Sequence, residues 1–166
     1  MKNLFLPFFI GILLSLNANC AYLLMPMDVS QTNHLKAYGI TYWALTKEVP
    51  VDWLLNYRGG SFLIPQSPLI QNECMIRNVS FEVISDAQVN QLFEEIASPS
   101  SNMDVMKLEQ YPKIAVYSPK SKQPWDDAVT LVLSYAEIPY EVIFDDEIMY
   151  NELIRYDWLH LHHEDF

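Results

Sequence analysis

The sequence predicts an α/β protein in which an incomplete, doubly wound parallel sheet follows a smaller β-α-β unit. Two observations carry this prediction. Apolar runs of strand length alternate with stretches whose apolar residues recur at three and four residue steps. The second half then reads strand, helix, strand, strand, which is how a doubly wound sheet opens. With 166 residues, about half of them hydrophobic, the chain can bury a core of ordinary domain size.

The elements follow in chain order. Met1 and Lys2 precede a 13-residue apolar run, Leu4 to Leu16, and then the small polar stretch Asn17 to Ala21. This is a secretory signal pattern, with cleavage expected after Ala18, Cys20 or Ala21. The run contains Pro7 and Gly11 and is shorter than the roughly 20 apolar residues of a spanning helix. An exported protein, periplasmic or secreted and without a membrane span after cleavage, is therefore expected. Lipid anchoring at Cys20 is disfavoured by its Asn17-Ala18-Asn19 flank. Once Cys20 leaves, Cys74 is a lone thiol and reads as a buried small hydrophobe.

Ala21 to Asp28 reads as a buried strand. The next stretch, Val29 to Glu48, reads as a helix with Leu35, Tyr38, Tyr42 and Leu45 on one face and Asp28 or Ser30 as its cap. "VPVDWLLNY" returns as a strand, so the crossover predicts parallel pairing with the first. "LLNYRGGSFLIP" reads as a hairpin about Gly59 and Gly60, with Pro65 and Pro68 forbidding a helix immediately afterward. "CMIRNVSFEVIS" reads as a strand and "DAQVNQLFEEIAS" as a helix capped by Asp86. Ser98 to Asp104 has a linker's composition, placing the boundaries at 1–21, 22–104 and 105–166.

Beyond it, Pro112 to Pro119 reads as a strand and "PWDDAVTLVLSYAEI" as a helix with Pro124 in its first turn. Trp125, Ala128, Val129, Leu131, Val132 and Tyr135 are its expected buried face. "PYEVIFDDE" reads as a strand, "IMYNELIRY" as a turn or helical element, and "DWLHLHH" as a further strand.

Formal charge is −11, from 10 Lys and Arg against 21 Asp and Glu, and loss of Lys2 with the leader makes it −12. Nucleic acid and anionic membrane surfaces are poor partners for such a chain. A small molecule or another protein is the expected class of partner.

Two motifs carry chemistry. Three of the four histidines lie in the closing "DWLHLHHEDF". On a strand, His160 and His162 project to one face and can share a divalent metal such as zinc, with Glu164 or Asp165, or a carboxylate from Asp145 and Asp146, completing the set. His163 faces the other way, as a ligand-binding candidate. The second motif is "NYRGGS", where Arg58 beside Gly59, Gly60 and Ser61 can present a guanidinium and backbone amides to an anion, although the same residues fit a hairpin turn. Asp126 and Asp127 are accounted for by the positive end of a helix dipole. Asp145, Asp146 and Glu147 form an acidic loop able to bind a cation.

The strings "YLLMPMDVSQTNHLKAYGITYWAL", "VDWLLNYRGGSF", "PKIAVYSPKSKQPWDDAVTLVLSYAEIPYEVIFDDEI" and "YDWLHLHHEDF" resemble an exported bacterial family commonly labelled asparagine synthetase B. That label implies a glutamine-hydrolysing synthetase. Such enzymes begin with a catalytic cysteine at the second residue, where Lys2 stands here, and carry a Ser-Gly-Gly-x-Asp-Ser pyrophosphate loop that this sequence lacks. The second half is similar to the start of a class I glutamine-amidotransferase-like domain, which implies a flavodoxin-like sheet. "HHEDF" stands where that family has a Pro-Gly-Gly turn, and the nucleophile elbow would lie beyond Phe166, as in a truncated chain. The expectation is an exported binding or former-enzyme scaffold without synthetase activity and with no catalytic residue assigned. The alternative is a metal-dependent hydrolase or metal-binding protein using the histidine cluster.

Overall fold

The computed structural model describes residues 21–118 and 127–161. Among them the elements run β1 (Ala21–Met25), α1 (His34–Thr46), β2 (Val51–Leu55), β3 (Ser61–Pro65), α2 (Pro68–Ile76), β4 (Glu82–Ser85), α3 (Asp86–Ile96) and β5 (Asp104–Leu108). They continue with β6 (Ile114–Tyr117), α4 (Ala128–Ala136), β7 (Glu141–Ile143), α5 (Asp145–Met149) and β8 (Trp158–Leu161). The first five strands form one sheet, ordered β4-β1-β3-β2-β5, in which every neighbouring pair is antiparallel. The last three form a parallel sheet ordered β7-β6-β8. The molecule is thus α/β, with one antiparallel and one parallel sheet, and the antiparallel one is the larger.

The expected parallel pairing of β1 with β2 does not occur. Both strands pair with β3, which lies antiparallel between them, Leu23 opposite Ile64 on one side and Trp53 opposite Phe62 on the other. The crossover through α1 spans two strand positions, and the β2–β3 hairpin folds back into the gap. The order is that of a split β-α-β unit. Side-chain character explains the choice of centre. Ser61, Phe62, Leu63 and Ile64 are all buried, as a strand covered on both faces requires, whereas β2 interrupts its apolar run with Asp52.

Alternation along the strands sends side chains to two separate cores. Leu23, Met25, Phe62 and Ile64 face α1 and α2, meeting Ile40, Ile70 and Cys74. Leu24, Leu54 and Leu63 face the other way and meet Val89, Leu92 and Ile96 of α3. Each such side chain, when fully buried, contributes about 1.5–3 kcal/mol. Cys74 is fully buried beside the sulfur of Met25, and burial pushes its thiol up to about 11, so it is the small hydrophobe expected of a lone cysteine.

Helix starts depart from expectation in instructive ways. Asn33, not Asp28 or Ser30, caps α1 by accepting from the Lys36 amide. Pro68 does not forbid a helix but opens α2, where a residue without an N–H costs nothing, and Ser67 caps it by accepting from the Ile70 amide. Cys74 to Ile76 end that helix instead of starting a strand, and only Glu82–Ser85 is extended. Asp86 is the first residue of α3, which Ser85 caps in a reciprocal box with Gln88. After the Ser98 to Asp104 stretch the chain does not leave the first sheet: Asp104–Leu108 pairs with β2, and residues 109–113 make the passage to β6.

Among the described residues the second sheet is thinly covered. Ile114, Ala115 and Val116 of its central strand are buried, but Val142 of β7 and Trp158 and Leu161 of β8 are exposed. Helix α4 buries Thr130, Leu133 and Ala136 and leaves Leu131, Val132 and Tyr135 outward, which reverses the expected face. A helix apolar nearly all round has no periodicity to select a side, so packing selects it. That packing is against α1. Gly39 lies so close to Ala136 that a β-carbon there would run into the Ala136 carbonyl. Lys36 and Arg77 both pair with Glu137 at 2.6 and 2.7 Å, Asn33 donates to the Tyr135 hydroxyl, and the Tyr42 hydroxyl donates to the Pro112 carbonyl.

Candidate functional site

A polar cluster gathers at the carboxyl ends of β6 and β8. Register places His160 opposite Val116, and the two strands run parallel, so both point their carboxyl ends to the same side of the sheet. Ser118 follows β6 and is almost fully buried, its amide donating to the Ile143 carbonyl. Asp127 is the N-cap of α4: its Oδ1 accepts from the Val129 amide at 2.8 Å, and its carbonyl accepts from the Thr130 hydroxyl at 3.0 Å. Its other oxygen, Oδ2, lies 2.5 Å from Nε2 of His160. Asp127 and Thr130 are buried, and His160 keeps about a fifth of its side chain exposed, at 22%.

An ionised carboxylate has no proton to give, so Nε2 of His160 is the donor. This bond holds the ring in a set tautomer and leaves Nδ1 as the acceptor of the neutral imidazole. A carboxylate fixing an imidazole is what both general-base chemistry and metal ligation use. The location also suits a ligand, because open α/β sheets bind in the crevice beyond the carboxyl ends of adjacent strands.

His160 therefore stands at the carboxyl end of the parallel sheet, beside a partner that local sequence does not reveal. The sequence accounts for Asp127 by its position at a helix start, and it does cap that helix. Its second role depends on the β6–β8 register, which joins residues 33 positions apart. His162, His163, Glu164 and Asp165 lie outside the described residues, as do Pro124, Trp125 and Asp126. Among the described residues no group of three His, Cys, Asp or Glu side chains is placed to hold a metal ion.

The "NYRGGS" turn forms a different constellation. Tyr57–Gly59 makes a short 3-10 turn between β2 and β3, so the hairpin is as expected. Arg58 itself has a left-handed backbone at φ 46°, and its carbonyl accepts from the Met27 amide. Its guanidinium donates from Nε to Asp28 and from Nη1 to Glu82, both at 2.8 Å, and from Nη2 to the Ser30 hydroxyl. Hydrogen bonds from Ser30 and Arg58 hold the Asp28 carboxyl well below the usual carboxylate range. The same contacts with Asp28 and Glu82 raise Arg58 further above its ordinary value. The Ser61 hydroxyl donates to the Tyr57 and Arg58 carbonyls. Gly59, at φ 83°, passes so near the Met27 carbonyl that no side chain fits. These groups tie the hairpin to the β1–α1 loop, and the arginine spends its donors on the protein's own acids.

Other polar residues take structural places. His34 sets Nε2 3.1 Å from the Met27 and Asp28 carbonyls. Asp145 accepts from the Tyr117 hydroxyl, and Glu147 accepts from the Phe144 amide at the start of α5. No helix among the described residues is long and apolar enough to cross a membrane. Comparison with protein-family models, curated proteins and solved structures finds no match to this chain.

Proposed function

We propose that the chain is an exported binding or former-enzyme scaffold whose ligand lies at the carboxyl ends of β6 and β8, without synthetase activity. The single observation carrying this reading is the 2.5 Å contact of His160 with the buried Asp127 at that end of the parallel sheet. The order β7-β6-β8 supports a flavodoxin-like, amidotransferase-like opening, since that topology places its second strand and its third on either side of its first. Glutamine hydrolysis needs a thiolate nucleophile. Cys74 does not fit that role, being buried in the other sheet's core with its thiol pushed up to about 11. A side-chain amide such as glutamine or asparagine is the ligand chemistry that the amidotransferase resemblance implies.

The test is an NMR titration of the protein with glutamine and with asparagine. Saturable shifts at His160 and Asp127, lost in His160→Ala, are expected, with no ammonia released. Shifts confined to other parts of the molecule would refute the reading.

The same pair favours a second reading. Metal-ligating histidines commonly donate their other ring nitrogen to a carboxylate. With Nε2 given to Asp127, Nδ1 of His160 is the atom left for zinc, and His162, Glu164 or Asp165 would complete the set. Elemental analysis after equilibration with zinc separates the two: stoichiometric metal lost in both His160→Ala and His162→Ala supports the metal centre, and metal-free protein that still binds an amide excludes it.

A further inference from the structure

We propose that the hollow at the amino ends of β6 and β8, between the two units, is a binding site for a short peptide of two or three residues with both termini free.

The hollow has a volume of about 620 Å³. From the first unit it is lined by Glu48, just beyond α1, and by Glu109, which follows β5. From the second it is lined by Lys113, which precedes β6, and by Arg155 and Asp157, which precede β8. Acids of the first unit and bases of the second thus share one hollow, and they do not neutralise each other. Among the described residues, neither the Lys113 ammonium nor the Glu48 carboxylate has an opposite charge within ion-pair distance. Arg155 gives Nη1 to Glu152 at 2.8 Å, and Glu109 meets Lys107 at 3.3 Å, so each keeps further donors or acceptors. Asp157 is the one acid on the basic side. It is committed to the backbone, its Oδ2 accepting from the Lys113 amide at 2.8 Å and its own amide donating to the Lys113 carbonyl.

This sign pattern selects the guest. A simple anion meets Glu48 and Glu109, and a simple cation meets Lys113 and Arg155, whereas a molecule with one charge of each sign at its two ends complements both sets. Size sets how far apart those ends lie. A compact hollow of this volume is on the order of 10 Å across, the reach of about three extended residues. A free amino acid carries both charges on one carbon and is too short to serve the two units at once. The middle of the guest also has a surface to cover. Tyr111 lines the hollow with its ring held edge-on by Tyr42, centroids 5.4 Å apart at 64°, and the Tyr42 hydroxyl is anchored on the Pro112 carbonyl. Leu45 from the first unit and Ile154 from the second add carbon beside it, which suits an apolar side chain.

The tripeptide Ala-Leu-Ala is the probe. Calorimetric titration of the full chain is expected to show saturable one-to-one binding that weakens with added salt, with NMR shifts at Tyr111 and Ile154 and none at His160. The same peptide acetylated and amidated at its ends should bind about tenfold more weakly, and Lys113→Gln or Glu48→Gln, both at exposed positions, should each weaken the free peptide about threefold without moving the melting temperature. For a peptide amidated only at its carboxyl end, Lys113→Gln should make no further difference, because the group that Lys113 serves is already gone. No saturable binding, equal affinity for the blocked peptide, or unchanged binding by a folded Lys113→Gln would overturn the site. Spermidine or citrate binding more tightly than Ala-Leu-Ala would overturn its assignment to peptides. The hollow and the His160–Asp127 pair lie at opposite ends of the same strands, so none of these outcomes bears on the proposal for the carboxyl ends of β6 and β8.

Discussion

The two sheets of this protein solve the burial problem differently. The antiparallel sheet has helices on both faces, α1 and α2 on one and α3 on the other, and each face has its own cluster of buried side chains. The parallel sheet buries its central strand but leaves apolar residues of β7 and β8 in the open, and α4 reaches its packing partner by crossing α1 of the first unit. Parallel sheets are normally covered on both faces. The first unit therefore carries its own stability, whereas the second borrows from it. The candidate chemistry lies in the dependent part.

The sharpest way to break this asymmetry is in the first core. Leu63, fully buried at the centre of the sheet, is expected to cost about 2–5 kcal/mol when changed to alanine. Chemical denaturation followed by near-ultraviolet dichroism should show both units lost in one shifted transition. Survival of the second unit after the first has melted would mean that the second unit stands without the first.

Next in size is the junction. Gly39→Ala drives a methyl group into the Ala136 carbonyl, and overpacking of this kind costs about 1–3 kcal/mol. Amide shifts are expected to concentrate in α4 and β6, with β1, β3 and α3 little changed. Asp127→Ala is expected to cost about 1 kcal/mol through the lost helix cap. Its distinctive readout is the His160 ring, whose NMR signals should lose their dependence on a fixed tautomer.

The smallest effect is expected in acid. Hydrogen bonds from Lys36 and Arg77 hold the Glu137 carboxyl below its ordinary value. A depressed carboxyl contributes stability above its ordinary range and loses it as pH falls through that range toward the folded value. Mild acid should therefore loosen the α1–α4 junction, and Glu137→Gln should flatten that part of the pH dependence of melting. An unchanged profile would mean the half-exposed pair is too well solvated to matter.

Local sequence carried much of the secondary structure. The apolar runs at β1, β3 and β6 and the Gly59-Gly60 hairpin are all where short-range patterning puts them. Ser67-Pro68 is itself a legible helix start, because a proline that breaks a helix interior is at no disadvantage in its first turn. Pairing was harder. Nothing in Val51–Leu55 taken alone says that its neighbour is β3 and not β1, since sheet order is a property of three strands and a crossover together. The His160–Asp127 contact was hidden for the same reason. The Arg58 site was legible as a turn, but its occupation by Asp28 and Glu82 required knowing that the β1–α1 loop and β4 meet there.

Helix α1 buries Ala37, Gly39, Ile40, Thr41, Tyr42, Ala44 and Leu45, so much of its circumference is in contact with protein. One side belongs to the first sheet and another receives α4, which gives this segment two clients. In a chain made from its amino terminus, the helix and the strands that seat it emerge before α4 does. Assembly then has a direction: the first unit is the template, and the rate at which the second matures should follow the rate at which α1 docks.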